Sequence, residues 1–255
     1  TKQSYTININ GVNRPTVNAN GQRIAETDEQ IRNFWQWFGD SKVVDSDGKP
    51  LVVYHGTPEA DGVSEFNMKG GAAYFTSSKP VASDYTARRG LFRGRKTGTV
   101  VDAYLSMRNP LVVDAMGTRN DNIPVPWQQW SPKVFGALPK NAVSVADLVD
   151  RAKASGNDGV IVRNVVDTAD VQDKRKSDVF VAFRPEQIKS VDNQGTFDPN
   201  DSRILRSLAE DETNPVTKPS YTFTQPLTKS GKGLFGANRP AEARIAEEAE
   251  GGYIR

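Results

Sequence analysis

Two runs late in the chain, Gly159-Val160-Ile161-Val162-Arg163 and Asp178-Val179-Phe180-Val181-Ala182-Phe183, are apolar at nearly every position. A half-exposed strand alternates apolar with polar residues, so continuous runs of this length predict strands buried on both faces. Such strands need covering layers. The rest of the chain supplies them as an α+β pattern of many short strands and few helices over about residues 27–197. Pro185 ends the second run, and Gln187-Ile188-Lys189-Ser190-Val191 resumes as an extended piece.

Helix ends are written locally. Thr27-Asp28-Glu29-Gln30 is a capping-box pattern. Ile31, Phe34, Trp35 and Phe38 follow at helical spacing, and Gly39 stops the helix. Ser144-Val145-Ala146-Asp147 opens a second helix that Gly156 ends. Ser78 caps a short third one, with Pro80 in its first turn and Val81, Ala82 and Tyr85 on one side. Lys42 to His55 reads as strand, Asp47-Gly48 turn, strand. Ala72 to Thr76, Val100 to Leu105 and Leu111 to Val113 are further strands. Residues 114–142 read as an ordered loop with room for a short helix, and Trp127 and Trp130 within it as packing residues before a stacking platform.

Residues 1–26 are polar and carry two Asn-Gly turns, which suits an arm, a small hairpin or a linker. Beyond about Asp198 the composition changes. The helical piece at residues 241–250 has too little apolar surface to fold alone. The expected organisation is therefore a polar arm at 1–26, a core domain at 27–200, and a tail or linker to a further domain at 201–255.

Composition removes several function classes. Lys and Arg number 33 against 31 Asp and Glu, a net charge of +2, which excludes a strongly basic nucleic-acid coat. Cysteine is absent and histidine occurs once, so disulfides, thiolate metal sites and a multi-histidine zinc site are excluded. No apolar run approaches 18 residues, so no membrane-spanning helix is expected.

The sole histidine, His55, closes an apolar strand. By itself it reads as a core histidine satisfied by a backbone carbonyl. Gly56 directly after it adds a second reading, because a ligand can approach a glycine's main chain and use its N–H and C=O. A planar carboxamide needs such a donor–acceptor pair. Tyr74 and Tyr85, eleven residues apart on a strand and the following helix, are either core rings or two walls of one cleft. Two such rings sandwiching a flat heterocycle contribute about 0.5–1.5 kcal/mol beyond area burial. Five cations at 88–96 form a basic loop, either solvated or facing a pyrophosphate or an acidic acceptor.

Tyr54-His55-Gly56-Thr57, then Gly71-Ala72-Ala73-Tyr74-Phe75-Thr76, then Tyr85 resembles the diphtheria-toxin and poly(ADP-ribose)-polymerase class of ADP-ribosyltransferases. It is most similar to the transferase domains of phage and mobile-element polyvalent proteins. The resemblance implies a split β-sheet core with a few flanking helices and NAD+ as substrate, with no metal. It implies that His55 bonds the adenosine ribose, that the Gly56 main chain grips the carboxamide, and that Thr57 lies near that ribose. Tyr74 and Tyr85 would enclose the nicotinamide. Phe75 and Ser83 complete the implied NAD+-binding set, Ser83 lying beside Ala82, where the class often carries a serine.

The class also places a Glu about eight residues before a Gln, to steady the oxocarbenium-like ribose. Here that position is Val179, counted back from Gln187. Asp178 sits one step earlier, on the opposite sheet face unless a bulge intervenes. Asp178 and Gln187 are the two candidates for the third catalytic place beside His55 and Tyr74, with Glu186 a weaker third. Without a carboxylate at the ribose, single ADP-ribose transfer or NAD+ hydrolysis is expected rather than chain elongation. The implied acceptor is a macromolecule, a protein before a nucleic acid, in the cytoplasm of a bacterial host reached by a phage or mobile element. A degenerate NAD-binding module within a larger polypeptide is the non-enzymatic alternative.

Overall fold

The computed structural model describes residues 6–59, 62–86, 98–125, 132–135, 142–168, 172–193, 195–205 and 221–222. The basic stretch at 88–96, Trp127, Trp130 and nearly all of the tail lie outside these described residues.

In chain order the elements are β1 (Thr6–Ile9), β2 (Val12–Pro15), α1 (Asp28–Phe38), β3 (Val53–Thr57), β4 (Phe66–Asn67), β5 (Ala73–Thr76) and α2 (Lys79–Asp84). They continue as β6 (Thr99–Leu105), β7 (Leu111–Asp114), α3 (Pro132–Phe135), α4 (Val145–Ala154), β8 (Gly159–Val166), β9 (Lys176–Ala182) and β10 (Ile188–Ser190). Seven strands form one mixed sheet in the order β10-β6-β3-β5-β9-β8-β7, parallel only at β7–β8. The α+β expectation holds, and so does the burial predicted from the two apolar runs. Val160, Ile161, Val162, Val179, Phe180, Val181 and Ala182 have no accessible surface.

Successive side chains of a strand point to opposite faces, so each apolar run feeds two cores. One face of the sheet holds Val160, Val162, Val179 and Val181 against α2 and α4, through Val81, Val145, Leu148 and Val149. The other holds Ile161, Phe180 and Ala182 with Val53, Phe75, Leu105 and Met107. A third cluster gathers the aromatic side of α1 with Ile7, Ile24, Tyr104 and Phe197. Fully burying one such large side chain contributes about 1.5–3 kcal/mol.

The caps form as the local sequence dictates. Thr27 and Gln30 close a reciprocal capping box, as do Ser144 and Asp147, and the Ser78 hydroxyl accepts from Val81 N. Residues 6–15 form a hairpin whose Ile7 joins the aromatic cluster, and Trp35 Nε1 donates to Pro15 O at 2.9 Å. Of the two extended pieces read between 42 and 55, only the second becomes a strand. The first keeps one bridge, Val44 to Pro50, around the Asp-Gly turn. None of the helices in the described residues is long and apolar enough to cross a membrane.

Candidate functional site

Among the neighbouring strands of the seven-stranded sheet, β3 and β5 share the fewest paired residues. β3 pairs with β6 along its whole length, from Val53↔Ala103 to Thr57↔Thr99. It meets β5 at a single residue pair, Tyr54↔Thr76. Antiparallel strands turn alternate residues' main-chain groups to alternate neighbours. Asp102 O accepts from Val191 N and Ser106 N donates to Gln187 O, so the even positions of β6 face β10 and the odd positions face β3. Val53, His55 and Thr57 answer them. The main chains of Tyr54 and Gly56 therefore turn the other way, toward β5. On β5, Ser77 N donates to Asp178 O, so Tyr74 and Thr76 face β3.

Continuing that register would set Gly56 opposite Tyr74, but the strands have parted by then. The Tyr74 carbonyl instead receives the imidazole of His55, with Nδ1 at 2.8 Å. This seam or slot is thus a break in the ladder between two strands, with the Gly56 main chain on one side and Tyr74 on the other.

His55 is satisfied by a backbone carbonyl, as the plainer reading of a lone histidine anticipated. The same bond fixes its tautomer. A carbonyl can only accept, so Nδ1 carries the proton and Nε2 is the unprotonated nitrogen. Phe66 and Phe75 pack on the ring with centroids at 5.1 and 5.6 Å. Burial lowers its pKa to about 4, against the opposing pull of the Tyr74 carbonyl. His55 is therefore neutral through the physiological range. Because it is the chain's only histidine, its ring proton signals need no assignment. We expect them to stay constant from pH 8 to pH 5 and to titrate only near pH 4. A midpoint near 6.5, the ordinary histidine value, would contradict the burial.

Gly56 has a structural role beyond ligand access. A Cβ built on it would lie 1.9 Å from the Ala82 carbonyl oxygen and 3.1 Å from Tyr85 Cβ. The end of α2 rests directly on β3, and this contact carries Tyr85 to the slot. Tyr74 and Tyr85 join the same apolar cluster, on the α2 face of the sheet, while Phe75 belongs to the opposite face. His55 and Thr57 alternate with Gly56 and so share the Phe75 side. Thr57 Oγ1 accepts from Glu59 N at 3.3 Å. The Ser83 carbonyl accepts from the Thr86 hydroxyl at 2.8 Å, closing the turn after α2. His55, Gly56, Tyr74 and Tyr85 thus meet at one seam, from both faces.

Asp178 and Gln187 stand elsewhere. Val179 is fully buried in the cluster that holds the two tyrosines. Asp178 points to the opposite face, where Oδ2 meets Arg163 Nη1 at 3.1 Å and Oδ1 accepts from Asn164 N at 3.0 Å. There it lines a surface groove of about 770 Å³ with Lys42, Arg108 and Arg163. Gln187 is 3% exposed, and its amide is used inside the fold. Oε1 accepts from Phe183 N and Arg184 N, while Nε2 donates to Ser106 O and Asp158 O. Ser106 is six residues along β6 from Val100, the partner of Gly56, or about 20 Å at strand rise. Glu186 gives its carbonyl to Trp37 Nε1.

Sequence reasoning missed Gly98 and Asp167. A Cβ on Gly98 would lie 1.9 Å from Thr57 O, so the start of β6 touches the end of β3 directly. Asp167, 1% exposed, follows β8 and offers its carbonyl to the Tyr85 hydroxyl at 3.3 Å. An acid directly after the apolar pair Val165-Val166 was the available signal for it. Among the described residues no group of His, Asp and Glu side chains could hold a metal ion.

A family model described as ADP-Ribosyltransferase in polyvalent proteins matches residues 45–197, more than half of the chain. No curated protein and no solved structure matches the chain.

Proposed function

The chain belongs to the ADP-ribosyltransferases of polyvalent proteins, and from that premise we propose that it cleaves NAD+ at the nicotinamide–ribose bond and transfers a single ADP-ribose to a protein of a bacterial host. The observation that carries this reading is the seam. It turns the Gly56 donor and acceptor edges toward Tyr74 and seats Tyr85 beside them through α2. A carboxamide entering there meets one N–H and one C=O at strand spacing, and its ring lies between two phenols. His55, neutral and holding its proton on Nδ1, has Nε2 as the acceptor suited to a ribose hydroxyl.

In this mechanism the chain's residues bind and bend NAD+. Nicotinamide leaves with the electron pair of the C–N bond, and the acceptor's nucleophile attacks the ribose anomeric carbon. Thr57, Phe75 and Ser83 would line the dinucleotide around this centre. The third catalytic place is proposed for Asp178 or Gln187, each after a rearrangement that frees it from its present partners. Delivery by a phage or mobile element within a larger polypeptide, as a toxin-like effector, is part of the same reading.

The test is incubation with NAD+ labelled on the adenylate and with host lysate. Label that survives nuclease and disappears with protease is the expected result. Free ADP-ribose alone would mean a glycohydrolase, and nuclease-sensitive label a nucleic-acid acceptor. Val179 at the place of the acid favours a second reading, a module that binds NAD+ without turning it over. Tight NAD+ binding with no product in any fraction would establish that reading and discard the transferase.

A further inference from the structure

Asp167 is the buried acid that the mechanism above does not use. One carboxyl oxygen, Oδ1, accepts from Asn120 Nδ2 at 2.7 Å. The other, Oδ2, is buried with no hydrogen-bond partner. The main-chain oxygen of the same residue receives the Tyr85 hydroxyl at 3.3 Å. The segment that begins here grips α2 at a second point, because Arg175 pairs with both Asp84 at the end of α2 and Asp173. Thr168 Oγ1 donates to Asp173 O at 3.1 Å.

We propose that Asp167 is a positioning residue for the cleft: its carboxyl, locked by Asn120, fixes the carbonyl that anchors the Tyr85 hydroxyl and so sets the pose of the ring that closes on nicotinamide. This inference rests on the NAD+ reading of the slot.

The anchor is sensitive to charge. Burial raises the Asp167 pKa from 3.8 to about 7, while Asn120 and then Arg119 act the other way. The groups facing it are Arg119 and Asn120 from the 115–125 loop and Tyr85 from the end of α2. On β9 the buried Ser177 hydroxyl shares the sheet face of Val165 and Asp167, while Lys176 turns its ammonium over Gly117. The pKa is raised on folding, so the stability Asp167 confers is complete below about pH 4 and is lost as pH rises through about 7. Above that point an ionised oxygen without a hydrogen bond is buried beside Asn120 and Arg119. The segment must then relax to hydrate it, and Tyr85 moves with its anchor.

The experiment follows the Tyr85 ring by NMR on tyrosine-labelled protein from pH 5.5 to 8.5, with the signal identified by its loss in Tyr85→Phe. NAD+ titrations run at the same pH values. In the wild type the ring signal moves with a midpoint near 7, and NAD+ affinity falls about threefold or more between pH 6 and pH 8. In Asp167→Asn both become flat. In Asn120→Ala the midpoint rises, because the lost donor had favoured the ionised form. A ring signal that never titrates, or titrates unchanged in Asp167→Asn, overturns the proposal. So does NAD+ affinity that stays level while the ring moves. Should Asp167→Asn fail to fold, an unmoved midpoint in Asn120→Ala overturns it equally. A ring that titrates as expected in a protein that never binds NAD+ supports the Asp167–Tyr85 coupling and retires the coenzyme reading instead.

Discussion

Gly56→Val is expected to abolish NAD+ binding, weakening it by at least about a hundredfold, and to lower the stability of the fold by about 1–3 kcal/mol or more. The obstacle is backbone. The new Cβ would meet the Ala82 carbonyl oxygen at 1.9 Å and its carbon at 2.9 Å. A flexible side chain could swing aside, but a carbonyl inside α2 can move only with the helix. The helix would lift from β3 and take Tyr85 with it. Position 56 has no positive φ, so the requirement is for space and not for backbone freedom. Gly56→Ala already introduces the colliding atom and should show most of the effect. Substituting the Ala82 side chain should rescue neither variant. Thermal unfolding and NAD+ titration of Gly56→Ala check this together. Wild-type values for both would mean that α2 does not rest on β3 as described.

What could be read ahead of the structure was whatever is encoded within a few residues. The Thr27 and Ser144 capping boxes each need only four consecutive residues, and both form. The double burial of β8 and β9 follows from composition, because no polar residue interrupts positions 160–162 or 179–182. The seam is different in kind. It is an absence of pairing between β3 and β5, two strands about twenty residues apart in sequence, and no local pattern records where a ladder stops. The resemblance supplied the expectation of a split sheet. The geometry supplied its location, one pair beyond Tyr54↔Thr76. Asp178 was legible in part: its type suggested an acid near the ribose, while its one-step offset from Val179 already predicted the opposite face, and the alternation of β9 sets Val179 among the tyrosines and Asp178 away from them. The β-bulge in this region falls on β8, between Val162 and Val165, and leaves the alternation of β9 intact.

Gln187→Ala is the second large effect, and it separates two roles for this residue. Four hydrogen bonds end on its amide, two accepted and two donated, which is the full capacity of a carboxamide. Truncation leaves two main-chain N–H groups and two carbonyls without their partners. Each of these part-buried bonds contributes about 0.5–1.5 kcal/mol net, so a loss of about 2–6 kcal/mol is expected. Gln187→Glu should do little better, because a carboxylate presents an acceptor to the acceptors Ser106 O and Asp158 O. Asp178→Ala removes a half-exposed ion pair with Arg163, and its cost in stability should stay near or below about 1 kcal/mol. Melting temperature and turnover measured on both variants then discriminate. If Gln187 also reaches the ribose, its alanine variant loses turnover per folded molecule as well as stability. If it is only the clamp that the hydrogen bonds describe, the melting temperature falls by about 5–20 °C and the residual folded fraction keeps its specific activity. If Asp178→Ala also keeps turnover, the ribose cation is stabilised without a carboxylate from β9. Val179 would then mark the loss of the acid itself, rather than its displacement by one position.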